Sequence, residues 1–144
     1  MKKTALRIGI QVMMAATGFS AYAFNRTRHA YLATRLAIAG THWSRFRGLM
    51  CAQASAFQAG DGLWIVPCRG VHTFAMNFPI DVVYLDSNKF VVHLEEGLKP
   101  WRLAGIKMRA ASVIELPSET LKLSGTAIGD EIEITVDRMG ASTA

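Results

Sequence analysis

Apolar residues recur at every second position in "YLATRLAIAG", where Leu32, Thr34, Leu36 and Ile38 fall on one side and Arg35 on the other. A period of two predicts a strand with one buried face, and the preceding "FNRTRH" reads as its hairpin partner. Gly40 ends the strand. Thr41 can then cap a short helix over "HWSRFRGLM", in which Trp43, Phe46, Leu49 and Met50 recur at helical spacing and would lie on the sheet.

"AQASAFQAGDG" is small and polar, as a loop should be, and Asp61-Gly62 leads into the apolar run "LWIV", which Pro67 stops. "IDVVYL", the turn "DSNK" and "FVVHL" predict a β-hairpin. "EEGLKPWRLAGIK" is a surface loop with Trp101 as its anchor, "ASVIEL" a strand, "PSETLKLSG" a helical turn between Pro117 and Gly125, and "DEIEITV" the last strand. Six or seven short strands, one or two short helices and no βαβ alternation define a mainly β fold. The expectation is a compact antiparallel barrel or sandwich. No glycine-rich motif for a dinucleotide or nucleotide triphosphate is present.

At 144 residues the chain is long enough for one domain with its own core. The net charge of +5 suggests a polyanion partner until it is located. Lys2, Lys3 and Arg7 precede residue 24, and thirteen basic against eleven acidic residues remain beyond it. Arg26, Arg28, Arg35, Arg45 and Arg47 are then the unbalanced group. That is too few for the dense basic face of a nucleic-acid binder, so no nucleic acid is expected.

Residues 1–23 read as a signal peptide or N-terminal anchor: "MKKTALR" is positive, "IGIQVMMAATGF" apolar, and Ala21 and Ala23 suit a cut after Ala23. A helix packed on the domain or an organelle transit sequence are the other readings. The expected organisation is residues 1–23 as leader, 24–137 as β domain and 138–144 as flexible tail, with a periplasmic or secreted location. If the segment is no signal, the location is cytoplasmic, and the membrane is reached only through an uncleaved N-terminus.

Three stretches in order, "WSRFRGLM", "GLWIVPCRGVHTFAMNFPIDVVYLD" and "ASVIELPSETLKLSGTAIGDEIEI", resemble the DUF192 (UPF0127) family over about residues 24–136. The resemblance implies a compact β-rich domain, often behind a signal peptide, with no established activity. Pro-Cys-x-x-Val-His-Thr at Pro67–Thr73 suggests a subgroup, and Phe74 stands where many members carry tryptophan. Cys51 follows the GLM turn, where the family pattern offers it no role.

Candidate chemistry centres on Cys68, His72, Phe74, Met76 and Asp81. A histidine near a thiol can stabilise the thiolate, yet a small buried cysteine and a loop histidine bonded to carbonyls have the same sequence. Asp81 interrupts an apolar strand and must be solvated or paired: it is a polar anchor in a pocket, or it accepts backbone N–H groups or pairs with Arg47. Phe74 and Met76 can line a cleft or fill a core. Arg47, Gly48, Leu49, Met50, Glu115, Gly129 and Asp130 read as architecture. Cys68, His72, Asp81 and His93 form a poor metal set, so neither metal nor cofactor is expected. A Cys51–Cys68 disulfide requires an approach that the sequence does not dictate.

Two functions fit. One is a monomeric, non-catalytic module of the cell envelope that binds a small ligand, glycan or envelope protein. The other is a thiol- or acid/base-dependent hydrolase using Cys68, His72 and Asp81.

Overall fold

The computed structural model describes residues 19–40 and 57–138. Among them lie eight strands and one short helix: β1 (Phe19–Asn25), β2 (Ala30–Ala33), β3 (Arg35–Ala39), β4 (Asp61–Ile65), β5 (Ile80–Leu85), β6 (Val91–Leu98), β7 (Ser112–Pro117), α1 (Thr120–Ser124) and β8 (Ile132–Arg138). They form a three-stranded sheet, β2-β1-β8, and a five-stranded sheet, β3-β4-β7-β5-β6. The fold is mainly β as expected. Among the described residues the sheets resemble a sandwich and do not close into a barrel, and β3 pairs with β4 in parallel.

The run 31–40 is two strands, not one. At Thr34 the chain turns a corner, where the N–H groups of Thr34 and Arg35 both donate to the Gly60 carbonyl at 2.9 Å. The Arg35 guanidinium fixes the corner by donating to Asp61 at 2.7 Å and to the Ala59 carbonyl at 2.9 Å. Leu32 and Leu36 nevertheless enter the same core, but the predicted single buried face is not kept: Thr34 at the corner is exposed, and Ala33, Ala37 and Ala39 on the other parity are buried. At this crossing Gly62 lies so close to the first sheet that a Cβ would stand 2.7 Å from that of Ala33.

Both faces of the five-stranded sheet are covered, which is why "IDVVYL" is buried at all six positions instead of alternating. Ile80, Val82 and Tyr84 belong to an outer core roofed by loop residues that include Val71, Met76 and Phe78. Val83 and Leu85 belong to an inter-sheet core with Ala21, Ala23, Leu121 and Ile132. The β5–β6 hairpin forms as predicted, its turn held by the Asp86 carboxylate accepting from the Asn88 and Phe90 N–H groups at 2.9 and 3.0 Å.

The helix predicted over residues 42–50, including Arg47, Gly48, Leu49 and Met50, lies outside the described residues, as do Cys51 and 139–144. Arg138, assigned above to the tail, ends β8. The boundary expected after Ala23 falls inside β1, the middle strand of its sheet. Phe19 to Asn25 pair in unbroken register with Arg138 to Ile132, and Ala21 and Ala23 are buried. Cutting there would remove five of the seven β1 residues. We therefore expect a chain begun at Phe24 to melt at least about 8 °C below one begun at Phe19, or not to fold. Equal melting temperatures would show that β1 is dispensable.

Candidate functional site

Between β4 and β5, and again between β6 and β7, the chain forms two long connections that pair as a ribbon. Backbone bonds run from Lys107 N to Arg69 O (2.8 Å), Ala104 N to Val71 O (2.9 Å), Thr73 N to Arg102 O (2.8 Å) and Trp101 N to Thr73 O (2.9 Å), and His72 stands opposite Leu103. The Thr73 hydroxyl, itself buried, donates to Lys99 O at 2.6 Å and accepts from Arg102 N at 2.9 Å. Alternation then separates the side chains: Val71, Thr73 and Ala104 point inward and are buried. His72, Phe74, Trp101 and Leu103 belong to the outward set, with His72 half-buried and the others exposed. The rings of His72 and Phe74 lie 5.1 Å apart, and Phe74 stacks on Trp101 at 6.3 Å.

Trp101 therefore does not anchor its loop in the core. Exposed over 62% of its surface, it stacks on the neighbouring strand of the ribbon. Met76, grouped above with Phe74, is buried in the outer core. Cys68 packs against that core and donates its thiol proton to the Gly70 carbonyl at 3.0 Å.

Asp81 faces the other way, toward the inter-sheet core. One carboxylate oxygen accepts the Gly97 N–H at 2.9 Å and the other the Leu121 N–H at 2.9 Å. Asp81 thus accepts backbone N–H groups and also lines a cavity, while Arg47 lies outside the described residues. A cavity of about 230 Å³ beside it is lined by Glu96, Gly97, Ser118, Glu119 and Lys122. A larger one of about 310 Å³, between β2 and α1, holds no carboxylate, histidine or thiol. Cys68 and Asp81 are thus on opposite sides of the sheet, and the set Cys68, His72 and Asp81 is not assembled around one point.

Glu115, which the sequence marks as architecture, belongs to a second polar group on the outer face. Glu115 pairs across strands with Leu63 and Val82, so its carboxyl points into the outer core, where Oε2 has no hydrogen-bond partner. Burial raises its pKa to about 8. Tyr84 shares this face; burial first, then the charges of Glu95, Cys68 and Glu115, hold its phenol above the ordinary value. His93 lies edge-on to Tyr84 at 5.3 Å and bonds Glu95 at 3.0 Å. Among the described residues no group of three or more His, Cys, Asp or Glu side chains is placed to hold a metal ion.

The basic residues also depart from expectation. Arg26, Arg28 and Arg35, taken above as unbalanced, pair with Glu133, Asp130 and Asp61 at 3.7, 2.9 and 2.7 Å. Asp130 is a structural hub, accepting from Arg28, Asn25 and the Ala127 N–H at 2.9 to 3.0 Å. Burial pushes its pKa up, but the bonds from Arg28, Asn25 and Ala127 outweigh burial and hold the carboxyl below its ordinary range. Gly129, with φ of 93°, supplies the left-handed turn before it.

The class these observations define is a small two-sheet β domain with a loop ribbon laid along one face. Residues 23–134 match the DUF192 family model, "Uncharacterized ACR, COG1430", and the chain belongs to that family. It is 34% identical over 118 residues to a UPF0127 protein of Thermococcus sibiricus, covering 78% of this chain and 74% of that one. A UPF0127 protein of Pyrococcus abyssi is 41% identical over 63 residues, which are 44% of this chain and 53% of its own. Among solved structures, a Novosphingobium aromaticivorans protein of unknown function superposes with a TM-score of 0.67 at 15% identity, over 78% of this chain and 82% of that one. At that identity the likeness shows the fold alone.

Glu115 makes stability depend on pH with a definite sign. Its carboxyl titrates near 4.5 when unfolded and near about 8 when folded, so between those values the native state holds a proton the unfolded chain has released. The contribution is complete below the lower value and is lost as pH rises through the upper one. Asp130 acts oppositely, its contribution present above the unfolded value of 3.8 and lost as pH falls through its depressed folded value. Denaturant titrations should therefore show stability falling as pH rises from about 5 to 8, with Glu115→Gln removing that slope. An identical slope in the variant would mean that Glu115 is ionised in the fold.

Proposed function

We propose that the protein is a monomeric, non-catalytic binding or assembly module of the cell envelope, with the outer side of the ribbon, carrying His72 and Phe74, as its binding face. The carrying observation is the division of the candidate residues. Both oxygens of Asp81 accept from backbone N–H groups on one side of the sheet, while the Cys68 thiol lies on the other and donates a hydrogen bond to the Gly70 carbonyl. A hydrolase would need these groups to converge on a substrate atom.

Export rests on the charged and apolar order of the N-terminal segment. Because β1 uses residues 19–23, retention of that segment fits the fold better than cleavage after Ala23. Among the described residues no helix is long and apolar enough to cross a membrane. The subgroup pattern Pro-Cys-x-x-Val-His-Thr takes a physical meaning in this reading: Val71 and Thr73 fasten the ribbon inward, and His72 lies on its other side, half-buried with Nδ1 enclosed.

Alkylation of Cys68 in a Cys51→Ser chain tests the choice between the two classes. At about pH 6.5, Cys68 should react with iodoacetamide no faster than a cysteine in an unstructured peptide. A rate about ten-fold faster would replace the binding module with the thiol hydrolase.

A further inference from the structure

We propose that the ribbon's outer face docks on an anionic phospholipid bilayer. The inference rests on the ribbon being the binding face and names what it binds. Phe74, Trp101 and Leu103 are exposed on that face, and Ile106 and Met108, further along the same connection, are exposed as well, the last three over 72 to 75% of their surface. Exposed large apolar side chains gathered on one element mark an interaction surface, whereas single ones scattered over a protein do not.

Charge identifies the occupant. Residues 67–80 and 97–111 carry five basic side chains, Arg69, Lys99, Arg102, Lys107 and Arg109, and no acid. None of the five pairs with an acidic side chain among the described residues. The other described basic side chains do have partners: Arg26, Arg28, Arg35 and Lys122 have carboxylates, and Lys89 lies over the Trp64 ring at 5.4 Å. The unpaired cations of the described domain are therefore concentrated on the same two connections that carry five of its exposed large apolar side chains.

An anionic bilayer satisfies both features together. Headgroup charge attracts the lysines and arginines, Trp101 suits the interfacial layer, and the aliphatic side chains reach the acyl boundary. A nucleic acid would use the cations and offer bases for Phe74 and Trp101 to stack on, but would leave Leu103, Ile106 and Met108 unburied. A specific acidic peptide calls for several directed polar contacts, and the outward set offers the His72 ring and the Trp101 indole N–H as its neutral hydrogen-bonding groups.

Vesicle flotation of the full chain, with tryptophan emission recorded alongside, tests the proposal. Vesicles of phosphatidylcholine with about one third phosphatidylglycerol should bind the protein and blue-shift its emission, and binding should weaken as salt rises. Leu103→Ser/Ile106→Ser and Lys99→Gln/Arg102→Gln should each weaken binding at least about ten-fold while melting within a few degrees of the parent. Lys2, Lys3 and Arg7 remain in every variant, so a loss between full chains reports the ribbon. No binding to the anionic vesicles, or undiminished binding by the Leu103→Ser/Ile106→Ser chain, overturns the proposal. So does tighter binding to a single-stranded 20-mer DNA that only the charge variant weakens, which would make the ribbon a nucleic-acid surface. A negative vesicle result with slow Cys68 alkylation leaves a binding module with a soluble partner, whereas fast alkylation removes the binding module itself.

Discussion

Asp81 accepts the Gly97 and Leu121 N–H groups at 2.9 Å each, and through those two bonds β5 holds both an edge strand and a helix. Each donor needs this acceptor for its own reason. Gly97 sits in a left-handed conformation where the β5–β6 register shifts, so its N–H leaves the strand ladder. Leu121 lies in the first turn of α1, whose N-cap residue Glu119 is also left-handed and makes no side-chain capping bond. A buried carboxylate is costly unless its oxygens are satisfied, and the same two bonds that satisfy Asp81 fix where β6 bends and where α1 begins. Leu121 is thereby seated in the inter-sheet core. The chain after α1 then turns through Gly129 and the Asp130 hub to bring β8 beside β1.

The five-stranded sheet separates these tasks by face. The inter-sheet face carries the structural carboxylate. The outer face carries Glu115 and Tyr84, where burial favours the neutral form of both groups. A neutral Glu115 avoids the expense of an unpaired charge in the core. Beyond this face the ribbon is fastened inward by Val71, Thr73 and Ala104, so its other side is held outward by the pleat. The outward placement of Phe74, Trp101 and Leu103 follows from that backbone pairing.

Much of this was legible in the sequence, for physical reasons that differ by region. The β5–β6 hairpin announced itself because two apolar runs flank a four-residue polar turn, and local signals of that kind survive tertiary context. The corner at Thr34 was invisible, since the apolar letters alternate through it in the sequence, although Thr34 itself is exposed and Leu32 and Leu36 reach one core from two sheets. Asp81 was readable as a satisfied polar group, but its donors lie 16 and 40 residues away, a pairing no local pattern encodes. Met76 and Phe74, two residues apart in a loop without strand periodicity, gave no sign of which was core. The ribbon's charge could have been found: "LKPWRLAGIKMRAA" mixes four cations with Trp, Leu, Ile and Met and contains no acid. In the charge balance it is hidden by the arginines of residues 26–47, because the pairing of Arg26, Arg28 and Arg35 exists only in three dimensions.

The dependence of the fold on one carboxylate is most directly tested by amide hydrogen exchange at Gly97 and Leu121, compared between the parent chain and Asp81→Ala. Both amides should be strongly protected in the parent and lose about a hundred-fold in protection in the variant, while Val83, in the β5 ladder, retains more of its own. Unchanged protection at Gly97 and Leu121 in a folded Asp81→Ala chain would contradict the account, because other groups would then be holding β6 and α1 in place.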